Sequence, residues 1–361
     1  MSRPKTLPQL RKEIDAVDHK ILALLSRRGD LAASVGEAKR RGDHKVLDVA
    51  RERAVLAALC KANPGPLSDE TVEAVFREII SACRASQQPT TVAYLGPEGT
   101  FSHAAAIKQF GHGAEFHAVT TIAEVFSCVE SGRCSFGIVP VENTTEGAVT
   151  PTLDALAETT TQILGELVVR VEHCVLGTND DKVRVRSIAS HPQVLAQCRR
   201  FMADRYPGVD TVPTASSAAA ARIAAGKKGT VAIGTRLAAE LYGLEILAES
   251  VQDNPNNVTR FLVVGSDAHT QPSGGDRTSV VVTVKDEVGI LERVIRQFSR
   301  NKVNLSMIES RPILGRRWEY RFFVDVTGHR EDTPVASALR AVERLALSVK
   351  VLGSYPVEGE A

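Results

Sequence analysis

One apolar seam limits the folding options of this chain more than any other feature. Leu10, Ile14, Val17, Ile21, Leu24, Leu31, Val35 and Ala38 step by threes and fours, the spacing of one face of a long amphipathic helix. Arg28 stands where the seam between Leu24 and Leu31 predicts an apolar residue. Gly42 and Asp43 interrupt the pattern. A second helix is predicted from Asp48, a good N-cap, to Cys60, with Asn63-Pro64-Gly65-Pro66 ending it. Ser68 can cap a third, with Asp69 and Glu70 in the first turn, where the helix dipole favours anions. Three helices, the first about 45 Å long at 1.5 Å per residue, cannot bury their apolar faces alone. An intertwined, all-α dimer is the expected solution.

Beyond Ser86-Gln87-Gln88-Pro89-Thr90, which reads as a linker, the rhythm changes to β then α. Val92–Leu95 and Phe136–Val139 are predicted strands, and a helix is predicted after Ser102. Thr121-Ile122-Ala123-Glu124 fits a capping box, and Thr150-Pro151 fits an N-cap followed by proline at the first helical position. Strand-like runs recur at Ser187–Ser190, Val231–Ile233 and Val258–Val264. Roughly 170 residues of this alternation argue a bilobed α/β domain with ligand sites in loops that follow strands. A second linker, His269 to Gly275, leads into strand Thr278–Val284, helix Gly289–Arg300, strands Val303–Ser310 and Trp318–Thr327, helix Pro334–Leu345 and strand Ser348–Tyr355. That βαββαβ order is the ferredoxin-like α+β arrangement. The 361 residues therefore divide into three domains, at 1–90, 91–267 and 277–357.

Composition excludes several classes. The net charge of +1 provides no global field for nucleic acid or a membrane surface. Residues 1–90 alone carry 16 Lys/Arg against 12 Asp/Glu, so the cations gather in the helical part. Cys60, Cys83, Cys128, Cys134, Cys174 and Cys198 show no paired spacing and no histidines at zinc distance, which favours reduced thiols over disulfides or a structural metal. No signal peptide or membrane span is expected, and the cytoplasm is the expected compartment.

The cations have a pattern. Lys39 follows Arg28 by 11 residues, about 20° away around the helix and about 16 Å along it. Both can lean toward one point, whereas Arg11, about 80–100° off that line, suits a site on another subunit. Taken singly, each is a snorkelling cation on a solvated face. Together, Arg11, Arg28, Lys39, Asp48-x-x-Arg51-Glu52 and the pair Cys83 and Gln87 resemble the helical chorismate mutases. That family rearranges a dicarboxylate through a compact chair with charge growing on the breaking ether oxygen. The resemblance implies that Arg28 and the partner chain's copy of Arg11 hold carboxylates, where bidentate pairing favours the reactive conformer. It implies Lys39 and Gln87 at the ether oxygen, stabilising the transition state more than the ground state. Asp48 and Glu52 then orient the substrate, Glu52 through its hydroxyl. Many relatives have serine where this chain has Cys83, a weaker donor.

Downstream, Gly96-Pro97-Glu98-Gly99-Thr100-Phe101-Ser102, Pro140-Val141-Glu142-Asn143-Thr144-Thr145-Glu146-Gly147, Ser190-His191-Pro192-Gln193, and Asp253-Asn254 leading to Thr259-Arg260-Phe261 resemble prephenate dehydratases. Alone, these are common turns, caps and strand starts. In family order they imply a cleft lined by Thr100, Ser102, Asn143, Thr144, Thr145, Ser190, His191, Thr259, Arg260 and Phe261. Thr259 is expected to donate to the leaving hydroxyl, by hydrogen bonding or in a relay with Glu142. Arg260 is either a carboxylate anchor or a structural ion-pair partner. His191 before Pro192 reads as a helix start rather than a general acid.

Gly289-Ile290-Leu291 and Glu309-Ser310-Arg311-Pro312 resemble the phenylalanine-binding ACT domain, and these residues are the expected effector contacts. Many relatives have alanine at the position of Ile290, whose bulk would narrow the pocket. The combined reading is a homodimer or homotetramer that turns chorismate into prephenate and prephenate into phenylpyruvate. It is inhibited by L-phenylalanine and needs no metal, cofactor or nucleic-acid partner. The rivals are an arogenate dehydratase and a non-catalytic amino-acid sensor. A fused dehydrogenase is disfavoured, since no G-x-G-x-x-G follows a strand.

Overall fold

The computed structural model describes residues 5–41, 49–87, 89–178, 185–266, 270–313 and 319–357. The predicted Asp48 cap, the Gly42-Asp43 break and the strand start at Trp318 lie outside the described residues, as does the side chain of Lys39. Contacts divide the chain into one unit of Met1–Thr90 with Phe110–Glu115 and a second of Thr91–Gln109 with Phe116–Ala361.

The first unit holds helices α1 (Leu7–Arg41), α2 (Val49–Lys61) and α3 (Asp69–Ala85). At 35 residues, α1 extends about 50 Å. The turn before α3 is built from side chains: Asn63 accepts from the Gly65 amide at 3.1 Å and donates to Leu67 O at 2.9 Å. Ser68 then caps α3 by accepting from the Thr71 amide. Within this chain the α1 seam stays uncovered, with Ile14 59% and Leu24 65% exposed.

After α3 the chain forms β1 (Thr91–Leu95), α4 (Phe101–Phe110), β2 (Glu115–Val119), α5 (Ile122–Glu130), β3 (Phe136–Asn143), β4 (Gly147–Ala148), α6 (Thr150–Glu158) and β5 (Gln162–Arg170). It continues with β6 (Cys174–Gly177), β7 (Ser187–Ser190), α7 (Pro192–Gln197), α8 (Arg199–Arg205), β8 (Asp210–Pro213), α9 (Ser217–Gly226), β9 (Thr230–Gly234), α10 (Arg236–Tyr242), β10 (Glu245–Ala248) and β11 (Val258–Gly265). Two sheets result, ordered β2-β1-β3-β11-β5, with β4 paired to β3, and β10-β6-β9-β7-β8. The chain passes between them twice, from β5 to β6 and from β10 to β11. The passes are stitched together by Val171 N donating to Asn257 O at 2.8 Å and Val251 N donating to His173 O at 3.0 Å. The sheets are mixed rather than simply alternating β and α. β1 and β3 are parallel, but β11 returns antiparallel between β3 and β5.

Two helix starts differ from expectation. α4 begins at Phe101 because Thr100 caps it, accepting from the His103 amide at 3.3 Å. α6 has Val149 as its N-cap, so Thr150 already lies inside the helix. Thr121 caps α5, and the Glu124 carboxylate reaches back to accept from the Thr120 amide and hydroxyl.

The chain ends with β12 (Asp276–Val284), α11 (Ile290–Arg300), β13 (Leu305–Pro312), β14 (Tyr320–Thr327), α12 (Thr333–Glu343) and β15 (Ser348–Pro356). Their antiparallel sheet, ordered β13-β14-β12-β15, packs one face on α11 and α12 through Val294, Phe298, Val335 and Val342. From the other face Val281, Phe323, Leu352 and Tyr355 join Val139, Leu153, Leu156 and Ile163 in one core. Gly353 of β15 lies so close to the backbone of Ile163 on β5 that no side chain fits between them.

Candidate active sites

In the helical unit, Arg28, Leu31, Ala32, Val35, Glu52, Ile80, Cys83, Arg84 and Gln87 line a depression of about 700 Å³. Four of the sequence-predicted residues thus meet there: Arg28, Glu52, Cys83 and Gln87. Arg28 Nη1 reaches Ile79 O at 3.4 Å, which draws the cation across the seam to α3. The Cys83 carbonyl accepts from Gln87 Nε2 at 3.3 Å and from Ser86 Oγ at 2.8 Å, so the backbone of Cys83 helps orient Gln87. Sequence reasoning missed Gly36, where a Cβ would come within 2.9 Å of Gln87 Cγ. Its only signal was a glycine inside a helical stretch. Arg11 is exposed on α1 and does not line the depression.

In the second unit, antiparallel β11 sets Thr259 beside Asn143 on β3. The Asn143 amide is fully committed. Its Oδ1 accepts from the amides of Thr145 (2.9 Å) and Glu146 (3.2 Å), and its Nδ2 donates to Val258 O (3.2 Å) and Thr259 Oγ1 (2.8 Å). The Thr259 oxygen is therefore an acceptor toward Asn143, which leaves its own proton for another acceptor. The relay partner expected at Glu142 is instead near Arg260, with Oε2 3.3 Å from Nε. Thr144 Oγ1 accepts from Val258 N at 3.0 Å and reaches Asn257 Oδ1 at 3.2 Å, tying the Asn143-Thr144-Thr145 turn to the second pass.

A cleft of about 690 Å³ lies beside this turn, lined by Thr145, Glu146, Gln193, Gln197, Asp253 and Asn254 among others. Other predicted residues have structural partners. Thr100 caps α4, and Ser190, fully buried, donates to Ile233 O at 2.7 Å. Ser102 is buried, and His191 caps α7 by accepting from the Gln193 amide. Phe261 is 1% exposed and belongs to the core rather than the cleft. Arg260 leaves β11 on the face opposite Thr259, as strand alternation requires. Its Nη1 lies 2.8 Å from Asp325 Oδ2 on β14 and 3.1 Å from Glu166 Oε2 on β5. Arg277 of β12 pairs with the same Glu166 oxygen at 2.5 Å.

His173, on the first pass, was not anticipated, since a lone histidine in an apolar run carries no signal of its own. It is 1% exposed, stacks edge-on against Phe101 and meets Gln197 Oε1 at 3.0 Å. Gln197 Nε2 donates onward to Glu146 Oε1 at 3.1 Å across the cleft. The acceptor on Gln197 requires the proton on His173 Nε2. Burial pushes the pKa of the imidazole down, against the weaker opposing effect of Gln197. The unfolded chain then binds a proton that the folded chain does not, so stability should fall as pH drops below about 6.5. Thermal melts at pH 7 and pH 5 check this: His173→Gln should flatten the slope, and an unchanged slope in that variant refutes it.

Around Gly289, the N-cap of α11 with φ of 80°, the backbone is left-handed, the conformation that favours glycine. Ile290 is buried under the helix, and Leu291 is half-buried. Glu309, Ser310 and Arg311 lie on the edge strand β13, and Arg311 forks onto Asp154 of α6 at 3.1 and 3.2 Å. Among the described residues no cluster of three His, Cys, Asp or Glu could hold a metal ion, and no helix is long and apolar enough to cross a membrane.

A helical unit with a cationic pocket, a two-sheet cleft and a ferredoxin-like sheet together define a multidomain enzyme. Known families match in that order: Chorismate mutase type II over residues 10–88, Prephenate dehydratase over 92–269 and ACT domain over 278–344. The chain is 42% identical over 362 residues to the bifunctional chorismate mutase/prephenate dehydratase of Stutzerimonas stutzeri, covering 99% of both proteins. Two solved structures each superpose on 74% of the chain with a TM-score of 0.69. One is the prephenate dehydratase of Arthrobacter aurescens in complex with L-Phe, 35% identical and 90% covered. The other is GqqA, described as a quorum-quenching acylase, 32% identical and 98% covered. The chain belongs to the bifunctional chorismate mutase/prephenate dehydratases.

Proposed function

We propose that residues 1–90 rearrange chorismate, residues 91–267 convert prephenate to phenylpyruvate, and residues 277–357 sense L-phenylalanine. In the first step the ether C–O bond breaks as a C–C bond forms, with no proton transferred. Arg28 holds a carboxylate, Lys39 and Gln87 face the ether oxygen, and Asp48 and Glu52 orient the substrate. The uncovered apolar seam of α1 supports a homodimer in which Arg11 reaches the partner's pocket. Free thiols at all six cysteines fit a cytoplasmic enzyme.

The observation that carries the second step is the committed Asn143 amide, which points the Thr259 proton away from Asn143. That proton goes to the leaving hydroxyl, which departs as water. The electron pair of the breaking bond to the ring carboxylate enters the ring, carbon dioxide leaves, and one proton from solvent balances the sum. Given chorismate alone, the protein should yield phenylpyruvate. Thr259→Ala should stop at prephenate, with dehydratase kcat lowered about 10²–10⁴-fold. A Thr259→Ala enzyme of normal dehydratase rate would refute this assignment.

The effector reading is supported by the L-Phe complex of the Arthrobacter aurescens dehydratase and by the left-handed turn at Gly289. L-Phenylalanine must then bind the less active state more tightly than the active one. Titrating it should lower the rate on supplied prephenate, and a flat titration would remove the claim.

A further inference from the structure

Beside the predicted residues of the mutase pocket stands a cation that the resemblance does not include. Arg84, on α3, is 5% exposed and lines the same depression as Arg28, Glu52 and Gln87. Its Nη1 is 2.6 Å from Glu52 Oε1, its Nη2 donates to Phe110 O at 2.8 Å, and its guanidinium lies 5.7 Å from the Phe110 ring centre. Its Nε is buried without a hydrogen-bond partner. Both ends of the fork are thus fixed.

We propose that Arg84 is a positioning residue for the mutase reaction, locking Glu52 so that its second carboxylate oxygen accepts the substrate hydroxyl. The proposal rests on the assignment of Glu52 to the substrate. Two physical requirements favour it. A dicarboxylate is repelled by an unpaired carboxylate in its pocket, and a bound guanidinium cancels that charge where solvent is scarce. A flexible Glu side chain also loses rotamer freedom on binding unless a partner has already fixed it. Arg84 meets both needs through Glu52, with Nη1 on the carboxylate and Nη2 anchored to the Phe110 carbonyl. A guanidinium does this better than an ammonium, since its planar fork holds the carboxylate and the carbonyl at once.

The test is a double-mutant cycle on the full chain with Glu52→Gln, Arg84→Gln, Arg84→Lys and the Glu52→Gln/Arg84→Gln pair. Mutase rates are read on chorismate, and dehydratase rates on supplied prephenate serve as the internal control. Arg84→Gln should lower mutase kcat/KM about tenfold or more, the scale of one charge-assisted hydrogen bond. Arg84→Lys should recover part of that loss, and dehydratase rates should hold. In the Glu52→Gln background, removing Arg84 should cost less than about twofold, because residues acting through one another are not additive. A normal mutase rate in Arg84→Gln, or losses that multiply in the double variant, would overturn the proposal. So would loss of far-UV helical signal in Arg84→Gln that Glu52→Gln does not relieve, which would make Arg84 a folding residue. A normal mutase rate in Glu52→Gln would instead refute the assignment of Glu52 itself.

Discussion

Arg260→Met should destabilise the second unit by about 3–5 kcal/mol, the cost of stranding buried carboxylates. Asp325 and Glu166 are 3% and 2% exposed, and Arg260 bridges them. Burial alone would lower the Arg260 pKa, but the neighbouring acids, Asp325 foremost, raise it overall and keep it charged. Arg277 compensates Glu166 but not Asp325. Ser279 Oγ donates to Asp325 Oδ1 at 2.5 Å, so Tyr355, 2.7 Å from Ser279 Oγ, must donate its own proton into the chain. Burial and the nearby acids push the Tyr355 phenol up, which keeps that proton in place. The expected loss corresponds to a melting temperature lower by roughly 10 °C in a unit of this size. Arg260→Lys should recover little, because one ammonium cannot reproduce the fork. The measurement also separates the two readings of Arg260 left open by the sequence. A raised KM for prephenate with unchanged stability would make it a substrate anchor; lost stability makes it an ion-pair partner.

Gly353→Ala should be the most damaging single methyl group in the C-terminal sheet. A Cβ there would overlap the Ile163 carbonyl oxygen and lie 3.0 Å from both the Ile163 carbonyl carbon and Cβ. Ile163 belongs to a paired strand inside the shared core, so the obstructing atoms are backbone and have nowhere to turn. β15 also carries a register irregularity opposite Ser279 and Val280, next to Gly353. Overpacking typically costs 1–3 kcal/mol, and backbone obstruction places this case at about the upper end. Urea unfolding should show a lower midpoint for Gly353→Ala, while Gly274→Ala, which meets open space but has φ of 87°, serves as the contrast for strain without crowding. An unchanged midpoint for Gly353→Ala would mean that β15 and β5 separate freely.

Much of this was legible because periodicity and capping are local. The seam of α1, the Ser68 cap and the βαββαβ order all follow from neighbours in the chain. What stayed hidden depends on pairing across long separations. Asn143 and Thr259 are 116 residues apart, and only the antiparallel insertion of β11 brings them together. That same insertion turns Arg260 away from the cleft, which no reading of Thr-Arg-Phe could decide. Thr150-Pro151 misled because a threonine before proline suits a cap, yet Val149 adopts the extended backbone first. His173 and Arg84 were missed because a buried histidine or arginine looks, in sequence, like any other. Lys39 and Asp48 lie outside the described side chains, so their part in the pocket rests on the sequence.

Lys350, on β15, donates to the carbonyls of Leu156, Ala157 and Thr159 at 3.0, 3.1 and 2.5 Å. These are the acceptors that the end of α6 leaves without helical partners. The sensing module thus finishes a helix that belongs to the catalytic one, and does so from the strand that also covers β5. A gene shortened before residue 277 would encode a dehydratase with an open helix end, a bare sheet face and an Arg260 deprived of Asp325. Shuffling such modules between relatives is therefore constrained at the seam: a transplanted sensor must bring its own lysine, glycine and acidic partner in register, or the borrowed catalyst will be the part that fails.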